Sequence, residues 1–239
     1  LSYNVRYEDI GLRDFKETWD YQVSVFSRLV DAKKNLTARS GMGTDQTPGS
    51  LILVEHPNVF TLGKSGSMEN LLTSINRLKT EGASFYHIDR GGDITYHGPG
   101  QVVGYPIFDL DSVNISLKEY IFRIEEVIIR VIKKFGITGV RMTGCTGVWL
   151  DPEAKEGARK ICAIGVKASR FVTMHGFALN VNTDLSYYSF INPCGFRDKG
   201  VTSLEKELGW KPDMSEVKEA LRDNFGELFN LAWTNPTVS

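Results

Sequence analysis

A cysteine set between proline and glycine, Cys194 in INPCGF (191–196), is the residue of this 239-residue sequence best suited to act as a nucleophile. Pro193 and Gly195 favour a turn, and a turn presents a thiol where a strand or helix would pack it away. Cys162 sits in the apolar run ICAIGV, where cysteine serves as a small buried hydrophobe. Cys145, in TGCTG, lies in a segment that also permits exposure. The thiolate attacks, not the thiol, so a reactive cysteine needs a base or a cation beside it. The stretch RKICAIGVKASR offers Arg159, Lys160, Lys167 and Arg170, with His175 just beyond. Strand alternation puts Lys160 on the side of Cys162 and Ile164, and a lysine turned inward requires a partner. A lysine at a strand start that reaches back to solvent is the competing reading.

The stretch RGGDITYHGPGQ, Arg90 to Gln101, supplies a different element. Its glycines allow positive φ and close approach of main chain to a bound group, and backbone N–H groups in such a loop can hold an oxyanion. Arg90 and His97 stand at the two ends of that cradle. The bland alternative is a pair of tight turns with Arg90 and Asp93 in a surface ion pair. The spacing is neither a dinucleotide fingerprint nor a phosphate loop, so no nucleotide follows from it. A cysteine nucleophile, a cationic activator and a glycine-rich cradle together favour acyl transfer.

Composition narrows the setting. The 28 Lys and Arg nearly balance the 29 Asp and Glu, which removes any global field directed at nucleic acid or an anionic membrane. No segment reaches the ~20 apolar residues of a membrane span, and the opening LSYNVRYEDIGLRDF has no long apolar run, so a soluble, non-secreted protein is expected. The cysteines contain no CxxC, and with four scattered histidines they give neither a disulfide framework nor a zinc-ligand spacing. A reducing compartment and no metal are expected.

The elements that must position these residues read as follows. Phe15, Trp19, Val23, Phe26 and Val30 recur at helical spacing. Asn35 to Ser50 has no periodicity and reads as a flexible surface loop, whose NLT pattern carries no weight in a cytosolic protein. LILVE, VFTLG and QVVGYPIFDL read as strands. Leu117, Ile121, Ile124, Ile128, Val131 and Phe135 line one face of a helix that opens on Ser116 and Glu119 and closes at Lys133, Lys134 and Gly136. GVWL, KICAIGVKA and FVTMHGFALNVN follow as a meander interrupted by the charged loop DPEAKEGA, and helices return in TSLEKELG and DMSEVKEALRDNFGELFNLA. Helices and strands in separate runs give an α+β fold in one domain, 1–239.

Taken in order, RGGDITYHGPGQVVGYPIFDL, KICAIGVK, HGFALNVNTDL and INPCGF resemble the lipoyl(octanoyl) transferase family, over most of Val54 to Leu204. The resemblance implies an α+β fold of mixed and antiparallel sheets with flanking helices, like the catalytic domains of biotin and lipoate protein ligases. It implies that octanoyl passes from acyl carrier protein to Cys194 as a thioester and on to a lysine of lipoyl domains, the first step of endogenous protein lipoylation. The acceptors would be 2-oxoacid dehydrogenases and the glycine cleavage H protein. No cofactor, ATP or metal is implied, because the incoming thioester is already activated. Lys160 would lower the pKa of Cys194 and shuttle its proton. Arg90, Gly91, Gly92, Asp93, Ile94, Thr95, Tyr96 and His97, with Ala163, Ile164, Gly165, Gly176, Phe177 and Ala178, would line the acyl site, and Tyr96, Ile164 and Phe177 would be its apolar walls. For His97 and His175 a relay role and a hydrogen-bonded structural role are both open. Acidic partners would dock on local cations, first Arg159, Lys167 and Arg170. The implied compartment is the cytoplasm or an organelle interior. The rival readings are an ATP-dependent lipoate or biotin protein ligase, a noncatalytic acyl- or lipoyl-domain-binding protein, and a cysteine hydrolase.

Overall fold

The computed structural model describes residues 2–38, 48–153, 157–193 and 199–234. Tyr3 and Val5 are buried while Asn4 between them is exposed, and this period-two pattern makes a strand of Tyr3–Leu12 (β1). β1 runs parallel to β2 (Gly49–Glu55) on one side and to β12 (Leu231–Thr234) on the other. From β2 the sheet continues antiparallel through β6 (Gln101–Ile107), β10 (Val172–Asn180), β9 (Arg159–Ser169), β8 (Cys145–Leu150) and β7 (Val140–Met142). A short strand, β11 (Gly200–Val201), lies parallel to the start of β9. The meander read from GVWL onward is therefore present as β8, β9 and β10. A second, smaller sheet has β3 (Val59–Leu62) at its centre, parallel to β4 (Ser84–His87) and antiparallel to β5 (Ile94–His97).

Two helices, α3 (Leu117–Lys134) and α5 (Met214–Phe229), pack together over one face of the large sheet. Ser116 caps α3 by accepting a hydrogen bond from the Glu119 N–H at 3.1 Å, and Ser203 does the same for the short α4 (Leu204–Leu208) through Lys206. The other face is covered by α1 (Phe15–Ala38), which packs on β2, β6 and β10. Beside the small sheet lies α2 (Ile75–Thr80).

The sequence reading is corrected at three points. Asn35 to Ala38 are helical and Gly49 and Ser50 belong to β2, so the expected 35–50 loop is shorter; its residues 39–47 lie outside the described ones. Asn-Leu-Thr-Ala holds neither glycine nor proline, so nothing stops the helix there. The buried stripe of α1 is Phe15, Thr18, Gln22, Val25 and Leu29, while Val23 is exposed. Hydrophobicity alone mis-phased the helix because Gln22 is wanted inside, where its Oε1 accepts from the His175 N–H at 3.2 Å. In α3, Leu117 and Ile121 are left outside the fully buried stripe, which runs through Tyr120, Ile124, Val127, Ile128, Val131 and Ile132.

One buried charge ties α3 to the meander. Glu125 accepts the Gly147 N–H at 3.0 Å and pairs with Arg141 Nε at 3.2 Å. Removing a buried acceptor strands the groups it served, whereas a neutral amide keeps part of the pattern. Glu125→Ala should cost about 3 kcal/mol in a urea melt and Glu125→Gln about 1 kcal/mol; equal losses would show that the backbone bond to Gly147 contributes nothing.

Candidate active site

The glycine-rich stretch is built as two turns around a strand, not as one continuous loop. Arg90 to Asp93 form the first turn, Ile94–His97 are β5, and Gly98 to Gly100 lead into β6. The first turn crosses the edge of β9, where the Gly91 N–H donates to the Val166 carbonyl at 2.9 Å. A Cβ at Gly165 would come within 2.8 Å of the Gly91 carbonyl oxygen, so only glycine permits this crossing. Gly92 has φ +88°, the conformation that turns the chain back toward β5. Arg90 is buried, and its guanidinium donates to the Thr61 carbonyl at 2.7 Å and to the Gly91 carbonyl at 3.0 Å. Asp93 accepts from Asn70 Nδ2 at 2.5 Å and from the Ile94 N–H at 2.7 Å, so the surface pair of Arg90 with Asp93 is replaced by separate partners.

Beneath this crossing is a cavity of about 540 Å³. Arg90, Gly91, Gly92, Asp93, Ile94, Thr95 and His97 line it from the roof, and Ala163, Ile164, Gly165, Gly176, Phe177 and Ala178 from the large sheet, with His175 and Lys160 also on the wall. Tyr96 is not on it. Alternation in β5 turns Tyr96 to the opposite face, where it is fully buried, donates to Asn58 Oδ1 at 2.8 Å and stacks on Tyr187 at 4.9 Å. Lys160 sits where β8 and β9 slip register by one residue, with Cys162 opposite Val148 but Lys160 opposite Trp149. That bulge lets Ile161 and Cys162 both enter the core, and Lys160 Nζ lies 4.6 Å from the centre of the Trp149 ring. Burial pushes the Cys162 thiol up, which marks it as inert. Cys194 lies outside the described residues; its neighbour Pro193 lines the cavity.

Sequence reasoning missed Phe15, Ile88, Val103, Tyr105, Leu117, Ile121 and Cys145 on the same wall. Leu117 and Ile121 carried a signal, since they are apolar residues in the first turns of a helix whose core stripe does not need them. Phe15 and Tyr105 were absorbed into helix and strand patterns that looked complete without a cavity.

The histidines of the site are held neutral. His97 is pushed down to about 3, by burial first and then by the neighbouring His56, and its Nδ1–H donates to Gln101 Oε1 at 2.8 Å. His56 is pushed down to about 4 by burial; its Nδ1–H donates to the Arg13 carbonyl and its Nε2 accepts from the Tyr105 hydroxyl, both at 2.8 Å. Burial lowers His175 as well, and its Nε2–H donates to Asp89 at 2.9 Å. The His175 bond, followed by one from Lys167, holds the Asp89 carboxyl well below the usual carboxylate range. Two of the three expected docking cations are thus engaged: Lys167 with Asp89 at 2.5 Å, and Arg159 with Glu207 and Asp151, each at 2.6 Å. Among the described residues no group of three or more His, Cys, Asp or Glu could hold a metal ion, and no helix is long and apolar enough to cross a membrane.

A large mixed sheet flanked by helices and a small sheet across from it thus share a cavity between them. The bipartite lipoate protein ligase of Thermoplasma acidophilum superposes with a TM-score of 0.68 at 16% identity, covering 99% of this chain and 88% of that one. A lipoate-protein ligase A solved with ATP gives 0.68 at 12% identity over 100% of this chain and 90% of that one. Residues 30–226 match the lipoyl protein ligase A/B catalytic domain, and the chain belongs to that family. Octanoyltransferases of Parabacteroides distasonis and Christiangramia forsetii are 55% and 52% identical to it, covering 94% and 96% of this chain and 98% and 97% of theirs.

Because His56 and His97 bind protons less readily folded than unfolded, stability is full near pH 7 and is lost as pH falls through the unfolded value of about 6.5 toward the folded values. Each should contribute a slope approaching ~1.4 kcal/mol per pH unit below about pH 6. Asp89 adds nothing in that window, since its contribution is lost only below about pH 4. Denaturant melts between pH 7 and 5 should show the fall, and His97→Gln should remove one histidine's share; an unchanged slope would mean that His97 is protonated in the folded protein.

Proposed function

We propose that this chain transfers octanoyl groups from octanoyl-acyl carrier protein to a lysine of lipoyl domains, through a thioester on Cys194. The protein is an acyltransferase of the octanoyltransferase kind. The observation that carries the reading is the cavity with Lys160 on its wall and Pro193, one residue before Cys194, beside it. In the first step the Cys194 thiolate attacks the donor carbonyl carbon, the carbon–sulfur bond to the pantetheine arm breaks, and the departing thiolate takes a proton from Lys160. In the second, the neutral amine of the acceptor lysine attacks the thioester carbonyl, gives up a proton to Lys160 and displaces Cys194. A thioester and an amine become an amide and a thiol, and no ATP or metal enters the balance.

Small residues suit such a site. Ala163 and Ala178 are small side chains on the cavity wall that leave room for an acyl chain, Gly165 and Gly176 instead admit the Gly91 and Gly104 carbonyls, and backbone groups of the Arg90 to Asp93 turn stand over the cavity. The lipoyl-domain acceptors are those of 2-oxoacid dehydrogenases and the glycine cleavage H protein, the place of action is the cytoplasm, and residues 1–239 work as one catalytic domain.

Intact-protein mass spectrometry after mixing with octanoyl-acyl carrier protein should show one octanoyl adduct on wild type, none on Cys194→Ala, and loading slowed by a factor of about 10² to 10⁴ on Lys160→Met. Added lipoyl domain should discharge the adduct with amide formed on the acceptor. Adduct lost to water alone would make the protein a hydrolase, and activity only with free octanoate and ATP would make it a ligase.

A further inference from the structure

The cavity has a closed end and an open one. At the closed end Phe15 is 3% exposed, Tyr105 4%, His97 7% and Ile88 8%, whereas Leu117 at the opposite end is 37% exposed. Between them runs a trough of small residues. Ala178 lies opposite Ala163 and Gly176 opposite Gly165, on the face of the large sheet that α1 packs on and that the Arg90 to Asp93 turn crosses. Rows on one face of a strand are about 6.6 Å apart, so these two rows carry the trough one such step along β9, away from Lys160. Val103, opposite Ala178, and Tyr105, two residues on, flank it.

Rings close the far end, and other rings hold them there. The Phe15 ring lies parallel to His97 at 6.2 Å, edge-on to His56 at 5.3 Å and stacked on Tyr86 at 5.4 Å. Phe15 and Ile88 belong to one small apolar cluster with Val59. The polar atoms of Tyr105 and His56 bond to each other and to the Arg13 carbonyl, and His97 Nδ1 bonds to Gln101. Phe15 and Ile88 contribute ring and alkyl surface to the wall.

Building on the acyl-transfer reading, we infer that Phe15 and Ile88 set the acyl chain length, the terminal methyl of a straight saturated chain abutting them while its carbonyl stays near Lys160. A chain longer than the trough would have to displace Phe15 from its ring contacts with Trp19, His56, Tyr86 and His97 in a close-packed interior. A shorter one would leave the wall uncovered and forfeit apolar burial.

The test is covalent loading from hexanoyl, octanoyl, decanoyl and dodecanoyl donors on acyl carrier protein, read by intact mass, for wild type, Phe15→Leu, Phe15→Trp and Ile88→Val. Opening the wall should raise the decanoyl-to-octanoyl loading ratio by about tenfold for Phe15→Leu and a few-fold for Ile88→Val, and Phe15→Trp should shift preference toward hexanoyl. Ile88→Val removes a single methylene and keeps the test alive if the Phe15 variants fold poorly. Ratios within twofold of wild type in folded variants that still load octanoyl would overturn the ruler and leave the transferase reading standing. A wild type that loads none of the four chains would overturn both.

Discussion

The backbone hydrogen bond from Gly91 to Val166 fastens the turn that precedes β5 of the small sheet to β9 of the large one. Beyond Cys162 the edge of β9 is no longer paired with β8, and an unpaired strand edge demands partners. The Arg90 to Asp93 turn supplies one, and in doing so becomes the roof of the cavity. Everything about that turn serves the crossing. Gly165 clears the way beneath it, Gly92 reverses the chain after it, and the Arg90 guanidinium fastens it to Thr61 of β3. The glycines that suggest a ligand cradle are used first by the protein on itself, and the cavity is the space left over once that contact is made.

Such a space survives only if its walls neither collapse nor fill with water. Strand backbones set the floor, so they resist collapse where loops would not. At the closed end Tyr105 bonds to His56, His56 to the Arg13 carbonyl and His97 to the Gln101 side chain, and burial keeps both imidazoles uncharged. Charged groups are paired or bonded: Asp89 binds His175 and Lys167, Arg159 binds Glu207, and the Arg90 guanidinium in the roof is tied to the Thr61 and Gly91 carbonyls.

The sequence made local features legible and left non-local ones hidden. Ser116 with Glu119 announced α3, and the strands of the meander are neighbours in chain and in space, so their pairing followed from order. β1 was missed although Tyr3, Val5 and Tyr7 alternate, because its partners lie some 45 and 230 positions along the chain and parallel pairing leaves no turn to recognise. Alternation put Lys160 on the side of Cys162, and the bulge that lets Ile161 and Cys162 share the core cannot be read from alternation. Tyr96 shows the reverse error. A strand was present inside the glycine-rich stretch, and its period of two sends every second residue away from the cavity.

Two energetic tasks are kept apart by this arrangement. For an acyl chain seated as proposed, apolar contact along the trough and its end wall is the same before, during and after acyl transfer, so it lowers the free energy of bound substrate without by itself speeding the chemistry. What it does is fix where the carbonyl stops. An acyl chain seated against a rigid wall can place its reactive carbon at one depth only, and near Lys160 that restriction replaces a bimolecular search by a held geometry. Chain length and catalytic alignment are then one property, because a chain of the wrong length moves the carbonyl along β9 by a bond length or more relative to groups that do not move with it.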